Sequence, residues 1–157
     1  MPTIKLAKVL VPTDFSKHSE HAMLYGCELA RQFGAELHVL HVLYDVMAIA
    51  PNPEIILPPD PAFVAGLERG AAELLDKQPP AELRGSLSIQ RAVRTGPPFL
   101  EIVRYAQEKK IDLIVLGTHG RSGLAHMLMG SVAEKVVRKA PCPVLTVRHP
   151  EHEFVLP

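Results

Sequence analysis

Residues 5–16 read KLAKVLVPTDFS, and this short stretch decides which fold class the sequence predicts. Lys5 to Pro12 is an apolar run that ends at a proline, which is typical of a strand buried on both faces of a sheet. A polar turn follows, and Ser16 is suited to cap a helix. Apolar residues at helical spacing then continue to a stop at Gly34. The segment therefore predicts a strand, a turn and a helix, in that order.

The same alternation of strand and helix continues outward along the chain. Such alternation implies a parallel sheet covered by helices on both faces. We therefore predict an α/β fold with an open five-stranded parallel sheet of the Rossmann-like type, for which an order such as 3-2-1-4-5 is expected. The later predicted strands are Glu36–Leu43, Leu87–Val93, Ile111–Leu116 and Pro143–Arg148, and the later helices fall within Phe63–Leu75, Gly96–Ala106 and Ser131–Lys139.

Two segments depart from this pattern. Asp45 to Pro61 contains five prolines, so neither a helix nor a central strand can run through it, and it is predicted to be a surface loop. Residues 150–157 form a polar tail that is predicted to be loose. We predict one domain over residues 1–157, with its core at about 5–148.

Charge and cysteine content exclude several classes of protein. Lys plus Arg equals Asp plus Glu at 17 each, and the sequence pI is about 7.1, so nothing electrostatic favours a nucleic acid or an anionic membrane as partner. The longest apolar stretch, Leu37 to Ala50, is too short to span a bilayer. No signal-peptide pattern is seen at the first residues. Cys27 and Cys142 are far apart and are predicted to be buried thiols, as in a cytoplasmic protein.

Small polar residues follow the first and the fourth predicted strands. The first strand ends in Pro12-Thr13-Asp14, and the fourth, which ends at Leu116, is followed by Gly117-Thr118-His119-Gly120. In an open doubly wound sheet, ligands bind outside the carboxyl ends of the strands where the strand order reverses. The sequence therefore predicts a ligand crevice between these two strand ends.

The segment from Gly117 to Ser131 reads GTHGRSGLAHMLMGS, with the spacing G-x2-G-x9-G-S. Gly117 and Gly120 would let the backbone approach a ligand closely. Gly130 and Ser131 stand at a predicted helix start, where free N–H groups suit an anion, and the Ser131 hydroxyl could either cap the helix or donate to a phosphate. Taken singly, each glycine is better explained by ordinary turn geometry. The motif is neither a Walker A loop nor the GxGxxG of dinucleotide sites.

In combination, these motifs resemble the universal stress protein family. His41-Val42 after the second strand and Pro141–Leu145 near the C-terminus fit the same pattern, and the resemblance extends from Lys8 to Arg148. It is closest to the ATP-binding branch, in which the glycine motif is intact. The resemblance implies the adenine nucleotide alpha hydrolase-like fold, ATP (or ADP or AMP) with Mg2+ as ligand, and a homodimer formed through the last strand, 143–148.

The resemblance also implies a role for individual residues. Asp14 would contact the ribose hydroxyls or a phosphate-bound metal, and the backbone at Val42 would contact the adenine edge. His119 lies in the glycine loop and could touch phosphate. Ala133 stands where the family often has a hydroxyl or amide residue, so one phosphate contact is missing. The predicted nucleotide-binding residues are Pro12, Thr13, Asp14, Val42, Leu116, Gly117, His119, Gly120, Gly130, Ser131 and Val132.

Other chemistry is less favoured by the sequence. His18 and His21 could share a metal ligand, but no carboxylate or cysteine cluster accompanies them, so solvated surface side chains are the preferred interpretation. His149 is predicted to have no chemical role. No nucleophile elbow, Walker lysine or carboxylate pair is present, so ATP hydrolysis, if any, should be slow. The predicted function is an ATP-binding regulatory protein, and the alternative is a dimeric interaction module that binds no nucleotide.

Overall fold

The predicted alternation of strands and helices is observed in a computed structural model, which describes residues 3–44, 60–120 and 129–150. Residues 45–59 of the predicted Pro-rich loop and residues 151–157 of the predicted tail lie outside the described residues. In chain order the elements are β1 (Lys8–Pro12), α1 (Lys17–Phe33), β2 (Glu36–Leu43), α2 (Pro61–Asp76), α3 (Ala81–Arg84), β3 (Ile89–Thr95), α4 (Pro98–Lys109), β4 (Leu113–Gly117), α5 (Ser131–Lys139) and β5 (Val144–Val147).

The five strands form a parallel sheet in the order β3-β2-β1-β4-β5, which confirms the predicted order. β1 lies at the centre: Lys8 pairs with Glu36 of β2 on one side, and Val9 pairs with Leu113 of β4 on the other. The chain thus leaves β1 toward β2 and returns to pair with β1 only at β4. The strand order reverses at this point, between β1 and β4.

Alternate residues of the central strands supply two separate cores. Val9 and Val11 pack with α1 and α2 on one face of the sheet, whereas Leu10 packs with α4 and α5 on the other. Because neighbouring side chains of a strand point to opposite faces, a continuous apolar run such as residues 9–11 is what a doubly covered strand requires. The predicted arrangement of helices on both faces is therefore confirmed.

The ends of α1 agree with the sequence analysis, while the limits of β1, β3 and β4 differ from it and one helix was not predicted. The Ser16 side chain caps α1, and Gly34 ends it with φ 65°. β1 begins at Lys8 rather than Lys5, where pairing with β2 starts. β3 is shifted two residues toward the C-terminus, because it is a half-buried edge strand with a weak apolar pattern. β4 begins at Leu113 rather than Ile111. The single-turn helix α3 was not predicted. Its N-cap residue, Pro80, was interpreted as the signal that ends the preceding helix, but a proline is also tolerated at the start of a helix.

A buried histidine joins β2 to α4. His38 is 3% exposed; its Nδ1 lies 2.8 Å from the Tyr105 hydroxyl and its Nε2 lies 2.7 Å from a Glu36 carboxylate oxygen. Since the carboxylate only accepts, Nε2 carries the proton and Nδ1 accepts from the tyrosine. Burial lowers the pKa of His38, against the opposing effect of Glu36, so the ring is neutral in the folded protein.

We expect this histidine to make the protein less stable in mild acid. The unfolded chain binds a proton at His38 near pH 6.5, whereas the folded protein binds it only at lower pH, so the free energy of unfolding falls as the pH falls below about 6.5. In a His38→Gln variant this part of the pH dependence should be absent. Urea unfolding at about pH 7.5 and about pH 5.5 measures it. Equal pH dependence in the two proteins would contradict the assignment.

Both cysteines are free thiols. Burial raises the pKa of the Cys27 thiol to about 11, so it stays protonated at neutral pH. Cys142 is half-buried, and burial raises its pKa as well. The prediction of two buried thiols therefore holds for Cys27 but not for Cys142. Within residues 3–44, 60–120 and 129–150, no helix combines the length and the apolar character needed to cross a membrane.

Candidate functional site

A cavity of about 440 Å³ opens at the carboxyl ends of β1 and β4, where the strand order reverses. This is the position at which open α/β sheets bind ligands. All eleven residues predicted from the sequence line this one cavity. They are Pro12, Thr13, Asp14, Val42, Leu116, Gly117, His119, Gly120, Gly130, Ser131 and Val132.

The turn after β1 is held by a set of short hydrogen bonds. Thr13 Oγ1 accepts from the Phe15 amide at 3.1 Å, and Asp14 Oδ1 accepts from the Ser16 amide at 3.0 Å. Phe15 adopts a left-handed conformation with φ 62°, which a bulky residue rarely does. His41 fixes the turn from β2, since its Nδ1 donates to the Thr13 carbonyl at 2.8 Å. These contacts hold the backbone around Asp14 at the edge of the cavity.

The loop after β4 closely approaches this turn. A Cβ built on Gly120 would lie 2.6 Å from Asp14 Oδ2, so only glycine fits there without a shift of the carboxylate. Thr118 and His119 are buried, and their side chains contact each other, with Thr118 Oγ1 3.0 Å from His119 Nδ1. The ends of β1 and β4 are therefore in direct contact around the cavity.

The N-terminus of α5 forms another wall of the cavity. Gly130 is the N-cap residue and caps without a side chain, while its own amide donates to the Thr118 carbonyl at 2.6 Å. Ser131 is the first helical residue, so the suggestion that its hydroxyl caps the helix is wrong. The first N–H groups of a helix have no intrahelical acceptor, and with the helix dipole they attract anions. The cavity thus has one wall suited to phosphate oxygens.

The other end of the cavity is apolar, and most of its residues were missed in the sequence analysis. Pro98 and Ile102 come from the start of α4, and Leu40 and Tyr44 from β2 and its end. A helix that follows a strand in this fold starts at the carboxyl edge of the sheet, so the position of Pro98 was the available signal. The additional lining residues are Ser19, Leu40, Tyr44, Pro98, Ile102, Thr118 and Ala133.

Four histidine rings meet beside the cavity. The ring centroid of His18 lies 5.7 Å from that of His119 and 5.3 Å from that of His149, and the rings of His21 and His149 are 5.8 Å apart. His18 and His21 are half-buried and contact other histidine rings, so they are less exposed than the predicted solvated side chains. In the described part of the chain, no group of three His, Cys, Asp or Glu residues is arranged to hold a metal ion.

Comparison with known proteins identifies relatives over most of the chain. The model of the universal stress protein family matches residues 5–148. Universal stress protein MJ0531 of Methanocaldococcus jannaschii is 38% identical over 150 residues, which cover 93% of this chain and 84% of that protein.

Solved structures show the same fold. The universal stress protein UspA from Lactobacillus plantarum superposes with a TM-score of 0.77 at 28% identity, over 93% of this chain and all of that one. A universal stress protein crystallised in complex with cAMP superposes with a TM-score of 0.61 at 26% identity, over 92% of this chain and 98% of that one. A cyclic adenine nucleotide is therefore bound by one protein of the same fold.

Proposed function

The chain belongs to the universal stress protein family, and we propose that it binds an adenine nucleotide, ATP in the first place, in the crevice between β1 and β4. The observation that carries this proposal is the division of the crevice into two parts. One part is the start of α5, which has no side-chain cap, and the other consists of apolar side chains such as Val42 and Ile102. A nucleotide has the same two parts, a charged phosphate chain and an apolar base.

Each end of the crevice has a proposed contact. The phosphates lie against the backbone amides of Ser131 and Val132, as anions do at helix starts. The base lies between Val42 and Ile102, and the backbone at Val42 contacts its edge. Asp14, between the two, accepts from the ribose hydroxyls. Mg2+ enters with the phosphates, since it is commonly held by one or two carboxylates together with phosphate oxygens.

Mass spectrometry of the purified and denatured protein tests the proposal. We expect an adenine nucleotide to be released, and its identity distinguishes ATP from ADP, AMP and cAMP. A nucleotide that binds only the native state stabilises it, so the melting temperature should also rise when ATP and Mg2+ are added. If no nucleotide co-purifies and millimolar ATP causes no thermal shift, the proposal is rejected.

We expect Asp14→Asn to weaken ATP binding about tenfold, because a charge-assisted hydrogen bond to the ribose becomes a neutral one. The asparagine oxygen can still accept from the Ser16 amide, so the turn itself is retained. Isothermal titration calorimetry measures the effect, and Glu20→Gln on the exposed side of α1 is a control that removes the same charge. Unchanged or tighter binding in Asp14→Asn would exclude this contact.

The open edge of the sheet supports a second part of the proposal, a homodimer. β5 pairs with β4 on one side, and the Pro143 and Val147 carbonyls accept from β4 or the residue after it. Because backbone groups alternate along a strand, those of Val144 and Thr146 point away from β4. Leu145 is 37% exposed at the same edge. An apolar edge of this kind favours pairing with a second copy.

We expect Thr146→Pro to convert the dimer into a monomer. Proline removes an outward N–H but leaves the bonds to β4, so the melting temperature should change little compared with the loss of association. Light scattering after size-exclusion chromatography measures the mass, and Thr146→Val, which keeps the N–H, should remain dimeric. A Thr146→Pro dimer would exclude the β5 edge. A dimer that releases no nucleotide would instead favour the interaction-module alternative.

We also propose that the protein is located in the cytoplasm. Two free thiols, one of them deeply buried, fit a compartment that keeps cysteines reduced.

A further inference from the structure

A second cleft of about 320 Å³ lies between β3, the first residues of β1 and β2, and the second half of α4. Its lining begins at the amino ends of β1 and β2 and continues along β3 to Arg94. We call it the amino-end cleft. The lining residues that matter here are Lys8, Glu36, His38, Gln90, Arg94 and Lys109.

The cleft carries more positive than negative charge. Lys8 Nζ donates to the Lys109 carbonyl at 3.1 Å. This bond uses one of the three ammonium protons of Lys8, and its acceptor is a backbone carbonyl rather than a carboxylate. Arg94 pairs with Glu108 at 2.7 Å, with its guanidinium 5.5 Å from the centre of the Tyr105 ring. Four cationic residues therefore line the cleft: Lys8, Arg91, Arg94 and Lys109. Arg91 Nε donates to the Leu75 and Gln78 carbonyls, and neither lysine forms an ion pair with another described residue.

The one carboxylate among the described lining residues already has a partner. Glu36 accepts from His38 Nε2 at 2.7 Å at the floor of the cleft. His38 is held neutral by burial and by Tyr105, so it adds no charge of its own. Lys8 and Lys109 line the cleft together with His38, and their charges add to the lowering of its pKa that burial causes first. A small dianion entering the cleft would balance them.

We propose that the amino-end cleft binds the phosphate group of a small ligand. The two ammonium groups supply point charges and several N–H donors, and Gln90 offers an amide donor at the rim. The volume is at the lower end of the range for small-molecule sites, which suits inorganic phosphate or a compact phosphate monoester. This site shares no lining residue with the nucleotide crevice.

Titration of the isotope-labelled protein with inorganic phosphate, followed by NMR at constant ionic strength, tests the proposal. We expect saturable shifts of the amide signals of Lys8, Gln90 and Lys109, read separately from any shifts at Gly117 and Gly130. A parallel titration with ribose 5-phosphate distinguishes the two sources, because tighter binding of the sugar phosphate would identify a monoester. Shifts that rise linearly, or that sodium chloride reproduces, would overturn the proposal.

Substitution of the two lysines tests whether their ammonium groups bind the phosphate. Lys8→Gln with Lys109→Gln should weaken phosphate binding about tenfold or more, because charge-assisted hydrogen bonds become neutral ones. Lys139→Gln, an exposed lysine at the end of α5, is the matched control and should bind as the unaltered protein does. If the double variant does not fold, Arg94→Gln replaces it, and about a severalfold loss is expected. Unchanged affinity in a folded variant would overturn the proposal.

Discussion

A Gly130→Val variant should lose most of its affinity for ATP while remaining folded. Gly130 has φ −67° and ψ 157°, which valine can adopt, so the backbone conformation is not the obstacle. The obstacle is space, because the added methyl groups stand at the start of α5, where the phosphates approach the helix amides. Loss of one or two charge-assisted hydrogen bonds costs about 3 kcal/mol, or about a hundredfold in Kd.

The cost in stability should be smaller than the cost in binding. A Cβ at Gly130 would lie 3.1 Å from the Thr118 carbonyl oxygen, so a shift of a few tenths of an ångström relieves the contact at about 1 kcal/mol. Calorimetry with ATP and thermal unfolding of the same sample measure the two effects. Gly70→Ala in α2, with open space around it, is the control and should bind ATP normally. A folded Gly130→Val protein with unchanged Kd would contradict the proposed phosphate site.

Gly26→Ala should destabilise the protein, whereas the same change at Gly70 should stabilise it. A Cβ at Gly26 would lie 2.2 Å from Val11 Cγ2, in the core between α1 and β1. Overpacking costs about 1–3 kcal/mol even after the gain in helix propensity. At Gly70 only that gain remains, about 0.5–1 kcal/mol. Urea unfolding of the two variants compares them directly.

A double-mutant cycle tests whether contact with Val11 causes the loss of stability in Gly26→Ala. Val11→Ala alone should cost about 2 kcal/mol for the cavity it leaves. If the new methyl group at Gly26 fills part of that cavity, the double variant should be more stable than the sum of the single changes by about 1 kcal/mol or more. Additive effects would show that Val11 is not what excludes a side chain at Gly26.

The sequence predicts the fold well where burial is complete on both faces. β1 and β4 are internal strands of the sheet, and their uninterrupted apolar runs identify them, although β1 begins at Lys8 rather than Lys5 and β4 at Leu113 rather than Ile111. β3 is an edge strand with arginines at two positions, so its apolar pattern is weak and its limits were misplaced by two residues. The strand order depends on pairing between distant segments. It was therefore an expectation from the fold class, not a consequence of any local pattern.

For the candidate site too, local sequence patterns predict some residues, while others are brought in by contacts between distant segments. Residues that directly follow β1 and β4 are recognisable from their small, polar character, and all of the predicted ones line the crevice. Ile102 and Tyr44 reach it from elements that no local motif marks as ligand-binding. The meeting of His18 with His149 depends on β5 ending beside the start of α1, which the sequence alone does not reveal.

The central claim is that the crevice binds an adenine nucleotide, and calorimetric titration of ATP into nucleotide-free protein tests it most directly. We expect one saturable site per chain that favours ATP over GTP and is lost in Gly130→Val. No measurable heat at millimolar ATP, or equal binding by the Gly130→Val protein, would contradict it.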